Sequence, residues 1–184
     1  MAKLLMIVGD NFEDVEGIAT LDVLVRGKND VTVASVMKRK QITSKVGIPM
    51  LLSTVIEDVN PNDYDGLIIP GGPGSFTILD KLEIVDKLIH FFAQNNRLVA
   101  SICAAPFLVG RLGYLSDKNY TVHPGFEDNI IGGTYLIDKG VVVDQNFITA
   151  KSMYYSIDFA LAIHEYFHGD EAKKILERSL KGNR

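Results

Sequence analysis

Three apolar runs that refuse to alternate constrain this chain most: Leu4-Leu5-Met6-Ile7-Val8, Gly66-Leu67-Ile68-Ile69 and Leu98-Val99-Ala100-Ser101-Ile102. A strand with one wet face alternates apolar and polar residues, so runs of this kind predict strands covered on both faces, as in a parallel sheet. Each run meets a break and then a segment of helical period. Val15, Ile18, Leu21, Leu24 and Val25 predict a helix over about 13–26, stopped by Gly27. Leu82, Val85, Leu88, Ile89 and Phe92 predict another over 81–95. Val31 to Val36 reads as a second strand. Residues 41–56, broken by Gly47 and Pro49, read as a small hairpin or edge excursion. Strands alternate with turns from Tyr120 to Ile148, and helices over 152–168 and 171–180 close the chain. Strands separated by helices imply βαβ units, hence an α/β fold with a mostly parallel sheet and helices on both faces. Ligand sites in such sheets lie beyond the carboxyl ends of strands, where residues 9–16, 71–75 and Cys103 fall.

At 184 residues, 47% of them hydrophobic, residues 1–184 are expected to form one domain with a single core. A net charge of −4 supplies no electrostatic case for nucleic acid or membrane binding, and Lys38-Arg39-Lys40 reads as a solvated turn. The first apolar run is too short for a secretory signal, and no stretch approaches the roughly 20 apolar residues of a membrane span. One cysteine excludes an internal disulfide and points to a reducing compartment. A soluble, cytoplasmic protein is expected.

That cysteine, Cys103, stands where the third apolar run gives way to Ala104-Ala105-Pro106, a helix opening with proline in its first turn. Small residues two positions to either side, Ser101 and Ala105, suit a nucleophile elbow, which forces neighbouring backbones together. A helix N-terminus favours thiolate, which predicts a thiol titrating below the ordinary value of about 8.5. The plainer reading is a small apolar cysteine at a strand end. Gly71-Gly72-Pro73-Gly74-Ser75 lacks the lysine of a phosphate-binding P-loop and reads either as a loop offering backbone N–H groups to an oxyanion or as a tight turn. Glu16 is either a partner for the thiol or, with Glu13 and Asp14, an acidic residue at a helix start. His123, before Pro124, is either a base or an exposed loop histidine. His164-Glu165-Tyr166-Phe167-His168 fits the zinc-protease pattern, but Gly169 ends the helix at once and no third ligand is evident, so a structural role is expected and no metal.

Taken together these segments resemble the ThiJ/PfpI family, on the branch of the Parkinsonism-associated deglycase and its bacterial relatives. The likeness runs over roughly residues 3 to 170. It rests on Phe12-Glu13-Asp14-Val15-Glu16 with Leu21-Asp22-Val23-Leu24-Val25-Arg26, on Leu67-Ile68-Ile69-Pro70-Gly71-Gly72, on Ser101-Ile102-Cys103-Ala104-Ala105-Pro106 and on His123-Pro124. Cys-Ala-Ala-Pro is the element most specific to this branch. Protease-like members carry Cys-His-Gly there.

The resemblance implies a flavodoxin-like, class I glutamine amidotransferase-like sandwich that forms a homodimer and needs no cofactor. Cys103 would be the nucleophile, Glu16 the protonated carboxyl group bonded to its thiolate, and His123 the nearby base. The amides of Gly72 and Ala104 would form the oxyanion hole, Gly71 would line the pocket, and Arg26 would lie near the dimer interface and the active-site mouth. Two departures stand out: Lys151-Ser152-Met153-Tyr154-Tyr155 replaces the usual Gly-Pro-Gly-Thr, and Ser101 replaces alanine. The activity implied is cysteine-dependent conversion of small reactive aldehydes such as methylglyoxal, or of glycated adducts, through a hemithioacetal. The alternatives are an oxidative-stress sensor or holdase using Cys103 oxidation and, third, an intracellular cysteine peptidase.

Overall fold

The computed structural model describes residues 1–183. Its strands are β1 (Lys3–Val8), β2 (Asp30–Ser35), β3 (Gln41–Thr43), β4 (Pro49–Leu51), β5 (Thr54–Val55), β6 (Gly66–Ile69), β7 (Leu98–Ile102), β8 (Asn119–Tyr120), β9 (Thr134–Tyr135), β10 (Val141–Asp144) and β11 (Phe147–Ala150). Its α-helices are α1 (Asp14–Arg26), α2 (Pro73–Thr77), α3 (Glu83–Gln94), α4 (Pro106–Gly110), α5 (Ser156–His168) and α6 (Asp170–Leu180). Seven strands form one sheet in the order β10-β11-β7-β6-β1-β2-β5, parallel throughout except for β10. Without the two-residue edge strand β5, the parallel strands follow the flavodoxin-like order 2-1-3-4-5.

The non-alternating runs are the strands buried on both faces, and each splits its residues between two cores. Leu4, Met6, Val8, Ile68, Leu98, Ala100 and Ile102 pack toward Val23 and Leu24 of α1 and Phe159 and Ile163 of α5. Leu5, Ile7, Leu67, Ile69 and Val99 pack the other way, toward Val85, Leu88, Ile89 and Phe92 of α3 and Leu108 of α4. The period of two along each strand assigns the faces. Burying each large aliphatic side chain contributes about 1.5–3 kcal/mol, so both faces are strongly specified.

The expected hairpin is β3–β4, outside the main sheet. It is strapped to the loop after β1, where Asn11 N–H donates to Thr43 O (2.8 Å) and Lys45 N–H to Phe12 O (3.0 Å). The helix expected from 152 begins at Ser156 instead. Ser152 is extended, and a 3₁₀ turn (Met153–Tyr155) follows it. No helix among the described residues is long and apolar enough to cross a membrane.

Candidate active site

The chain switches direction across the sheet between β1 and β6: β2 and β5 lie to one side of β1, and β6, β7, β11 and β10 on the other. The loops after β1, β6 and β7 meet at that crevice, where open parallel sheets bind ligands. There the backbone of Cys103 turns left-handed (φ 64°), a conformation costing a non-glycine residue of the order of 1 kcal/mol. Two backbone bonds hold it: Cys103 N–H donates to Ala150 O (2.8 Å), and His123 N–H donates to Cys103 O (2.8 Å). The elbow is thus fixed from both sides, with its thiol half-buried.

Glycines make room for this turn. A methyl group on Gly71 would stand 2.7 Å from Cys103 Cβ and 2.8 Å from Glu16 Oε2, far inside contact distance. Gly72 is left-handed (φ 90°), and a side chain there would strike the backbone of Asn11, Phe12 and Glu13. The backbone amides of Ala104 and Gly72 face the sulfur.

Glu16 lies in the first turn of α1 and is 1% exposed. Its Oε2 accepts from Gly71 N–H (2.9 Å), whereas Oε1 is buried and has no partner. Burial is the main influence on this carboxyl group and raises it from 4.5 to about 7; the thiol of Cys103 and the Gly71 amide oppose the rise. The thiol shifts upward too, to about 12, through burial first and then the charge of Glu16. The pair therefore loses one proton in the neutral range and the second only in strong alkali. This reverses the expectation of a low thiol value. α4 has only five residues and begins three positions beyond the sulfur, so it offers little dipole against burial and a neighbouring carboxylate.

The structure brings Cys103, Glu16, Gly71, Gly72 and Ala104 together and joins His123 to them through its backbone. The His123 ring is exposed, and its Nδ1 donates to Pro124 O (3.0 Å). Arg26 stands apart. It is ten residues beyond Glu16 on α1, about 15 Å along the axis, and its Nε donates to Asp22 Oδ2 (2.7 Å). It lines a groove of about 680 Å³ with Met1, His164, His168 and Leu176, at the opposite end of the sheet. Within one copy of the chain Arg26 does not reach the mouth of the Cys103 site. His164 and His168 meet Asn29 there (3.3 and 2.8 Å), which gives both rings a protein partner.

Sequence reasoning missed Lys45 and undervalued Glu13. Glu13 is 8% exposed, and its Oε2 accepts from Lys45 Nζ (2.6 Å), which closes the β3–β4 turn over the start of α1. Lys45 lies near enough to feel the charges of both Cys103 and Glu16. No local pattern marks it, because the contact spans 32 residues. Ser101, behind the elbow, is buried with its hydroxyl unpartnered. The 151–155 segment leaves β11 directly beside Cys103, through the Ala150 carbonyl that holds the elbow.

The chain matches the model of the DJ-1/PfpI family over residues 2–166. It is 35% identical over 153 residues to a deglycase of Pyrococcus abyssi, covering 81% of this chain and 89% of the relative. It is 29% identical over 180 residues to a glutathione-independent glyoxalase of Caenorhabditis elegans, covering 97% and 95%. Against DJ-1 homolog B of Arabidopsis thaliana it is 30% identical over 170 residues, 92% of this chain but only 39% of that longer protein. The crystal structure of Drosophila melanogaster DJ-1beta superposes with a TM-score of 0.91 at 29% identity, covering 97% of each chain.

Proposed function

This chain belongs to the DJ-1/PfpI family, and from that premise and the Glu16–Cys103 geometry we propose a cysteine-dependent, cofactor-independent enzyme acting on small 2-oxoaldehydes or their adducts. One observation carries the reading: a buried carboxyl group raised to about 7 interacts with a thiol held on a left-handed elbow. A general base is most effective when its pKa lies near the working pH. Glu16 takes the thiol proton as the sulfur adds to the aldehyde carbon. The C–S bond forms, the carbonyl π pair moves to oxygen, and that oxyanion is received by the Gly72 and Ala104 amides. Removal of the carbon-bound proton gives an enediol. Reprotonation at the neighbouring carbon gives a thioester, with Glu16 and His123 Nε2 moving the protons. Water then cleaves the thioester to a 2-hydroxy acid and restores the thiol, so methylglyoxal plus water yields lactate. The names of the Pyrococcus and Caenorhabditis relatives support this chemistry.

We also propose a homodimer. Val15, Ile18 and Val25 of α1 are exposed, as are Val46, Ile48 and Leu51 of the β3–β4 hairpin. Pairing across α1 would remove this apolar surface from water, and only a second copy could bring an Arg26 to a catalytic mouth. A reduced thiol suits the cytoplasm.

Lactate formation from methylglyoxal without glutathione tests the activity, and Cys103→Ser abolishes it while the circular dichroism spectrum persists. Absent turnover in the wild type, with clean conversion of Cys103 to sulfinic acid by peroxide, replaces this reading with the sensor. Light scattering at the mass of one chain refutes the dimer.

A further inference from the structure

Three backbone hydrogen bonds, each 3.0 Å long, lead from the β3–β4 turn to an amide that faces the thiol. Gly47 N–H donates to Ser44 O, Lys45 N–H donates to Phe12 O, and Glu13 N–H donates to Gly71 O. Each accepting carbonyl shares a peptide group with the next donor: Ser44 C=O with Lys45 N–H, Phe12 C=O with Glu13 N–H, and Gly71 C=O with Gly72 N–H. A trans peptide points its C=O and N–H in opposite directions. The three groups therefore run head to tail, and the positive end of the last, Gly72 N–H, faces the Cys103 sulfur. Each peptide carries a dipole of about 3.5 D, and bonds in such a chain strengthen one another by about 10–30% each.

The chain of peptides is held along its length. At its start Ser44, 1% exposed, donates its N–H to Ile48 O (3.0 Å) and accepts Ile48 N–H on its Oγ (3.1 Å). In the middle Lys45 Nζ donates to Glu13 Oε2 (2.6 Å), and Val46 N–H donates to Asp14 Oδ2 (3.3 Å). Lys45 and Glu13 thus meet through their side chains while their backbones carry two successive links. At the far end a side chain on Gly72 would strike Glu13 N and Phe12 C, so glycine lets the last two peptides close up.

We propose that Lys45 is a positioning residue for the reaction: by pinning Glu13 from the hairpin, it keeps these peptides in line and the Gly72 N–H aimed and polarised toward the developing oxyanion. The proposal deepens the proposed reaction and rests on it for the oxyanion. The aligned peptides themselves rest only on the backbone. Donors fixed before the reaction stabilise its transition state because no reorganisation is needed when charge develops. Without the ion pair, the hairpin tip is free to lift from α1 and expose the Lys45–Phe12 link to water.

Lys45→Met alone would leave the Glu13 charge beside Glu16, whose carboxyl group feels Glu13, Lys45, Cys103 and the Gly71 amide. The double variant Glu13→Gln/Lys45→Met removes both charges at constant net charge and so breaks the clamp with least disturbance to Glu16. Hydrogen exchange followed by NMR is expected to show the backbone amide at position 13 losing at least about 10-fold of its protection. Removing an oxyanion donor outright costs about 10²–10³ in kcat, so loosening one is expected to lower kcat for methylglyoxal about 10-fold, with KM within about 3-fold. Alkylation by iodoacetamide forms the C–S bond and expels iodide without placing charge on an oxygen, so its rate stays within about 3-fold of wild type. Lys45→Arg, which retains the ion pair, keeps wild-type protection and kcat. Unchanged protection in the double variant, or a kcat that survives its loss, overturns the proposal, as does a kcat that falls only in step with alkylation. If the wild type turns over no oxoaldehyde, the proposed reaction fails by itself, and the aligned peptides are judged on the Gly72 amide proton resonance of ¹⁵N-labelled protein. An upfield shift in the double variant that is absent from Lys45→Arg upholds them, and a resonance that does not move overturns them.

Discussion

Replacing Glu16 by glutamine should stabilise the protein in neutral solution while damaging its chemistry. The glutamine side chain still offers an oxygen to the Gly71 amide, whose bond Glu16 Oε2 now accepts. What it cannot do is ionise. Between pH 4.5 and about 7 the native protein keeps a proton at Glu16 that the unfolded chain has released. Raising the pH through this window therefore draws stability away from the native state. At about 1.4 kcal/mol per pH unit the loss approaches 3 kcal/mol, complete once the native carboxyl group has ionised. The variant escapes it. Urea unfolding of both proteins at pH 4.5, 6, 7 and 8 should show the variant gaining about 3 kcal/mol on the wild type across the series. Alkylation by iodoacetamide provides a second readout. The wild-type rate should step upward near pH 7, as the pair loses its first proton, and the step should vanish in Glu16→Gln together with about 10²-fold of turnover. A stability difference that stays flat with pH, or that moves against the variant, would show that Glu16 is an ordinary carboxylate and refute the proton-sharing pair.

Gly71→Ala should cost about 1–3 kcal/mol by overpacking and abolish turnover, since its methyl group would press on both Cys103 Cβ and Glu16 Oε2; full activity in that variant would mean the loop is slack. Glu13→Gln and Lys45→Met should each cost about 1 kcal/mol in chemical denaturation, because Lys45 is half-exposed and screened; a double mutant that loses the sum of both would deny the coupling. Burial holds His164 and His168 below the ordinary histidine range. Stability present above pH 6.5 should therefore drain away as the pH falls and they charge, and His164→Gln should blunt that loss. Chelators should leave the melting temperature unchanged; a chelator-sensitive melt would make the pair a metal site.

Burial pattern alone was enough to place the strands. Leu4 to Val8 and Leu98 to Ile102 could not alternate if both faces were to be covered, and the helical spacing of Val85, Leu88, Ile89 and Phe92 located α3 within two residues. The elbow was legible as well, because a lone cysteine between an apolar run and a proline-opened helix, flanked by small residues, leaves the backbone few alternatives. Local pattern could not say which of Glu13, Asp14 and Glu16 turns inward beside the sulfur. That depends on the phase of α1 against the sheet, set by Val23 and Leu24 in the core. Nor could it foresee that Glu13 would be buried and paired with a lysine 32 residues away. The direction of the thiol's shift also had to wait for the fold. A helix N-terminus can be read from sequence, but burial and the charge of Glu16 act through space, and α4 proved too short to oppose them. Local sequence thus determined the elements and their punctuation, since backbone sterics and periodicity are local. The tertiary structure decided the electrostatics of the site, since desolvation and charge depend on what the rest of the chain brings near.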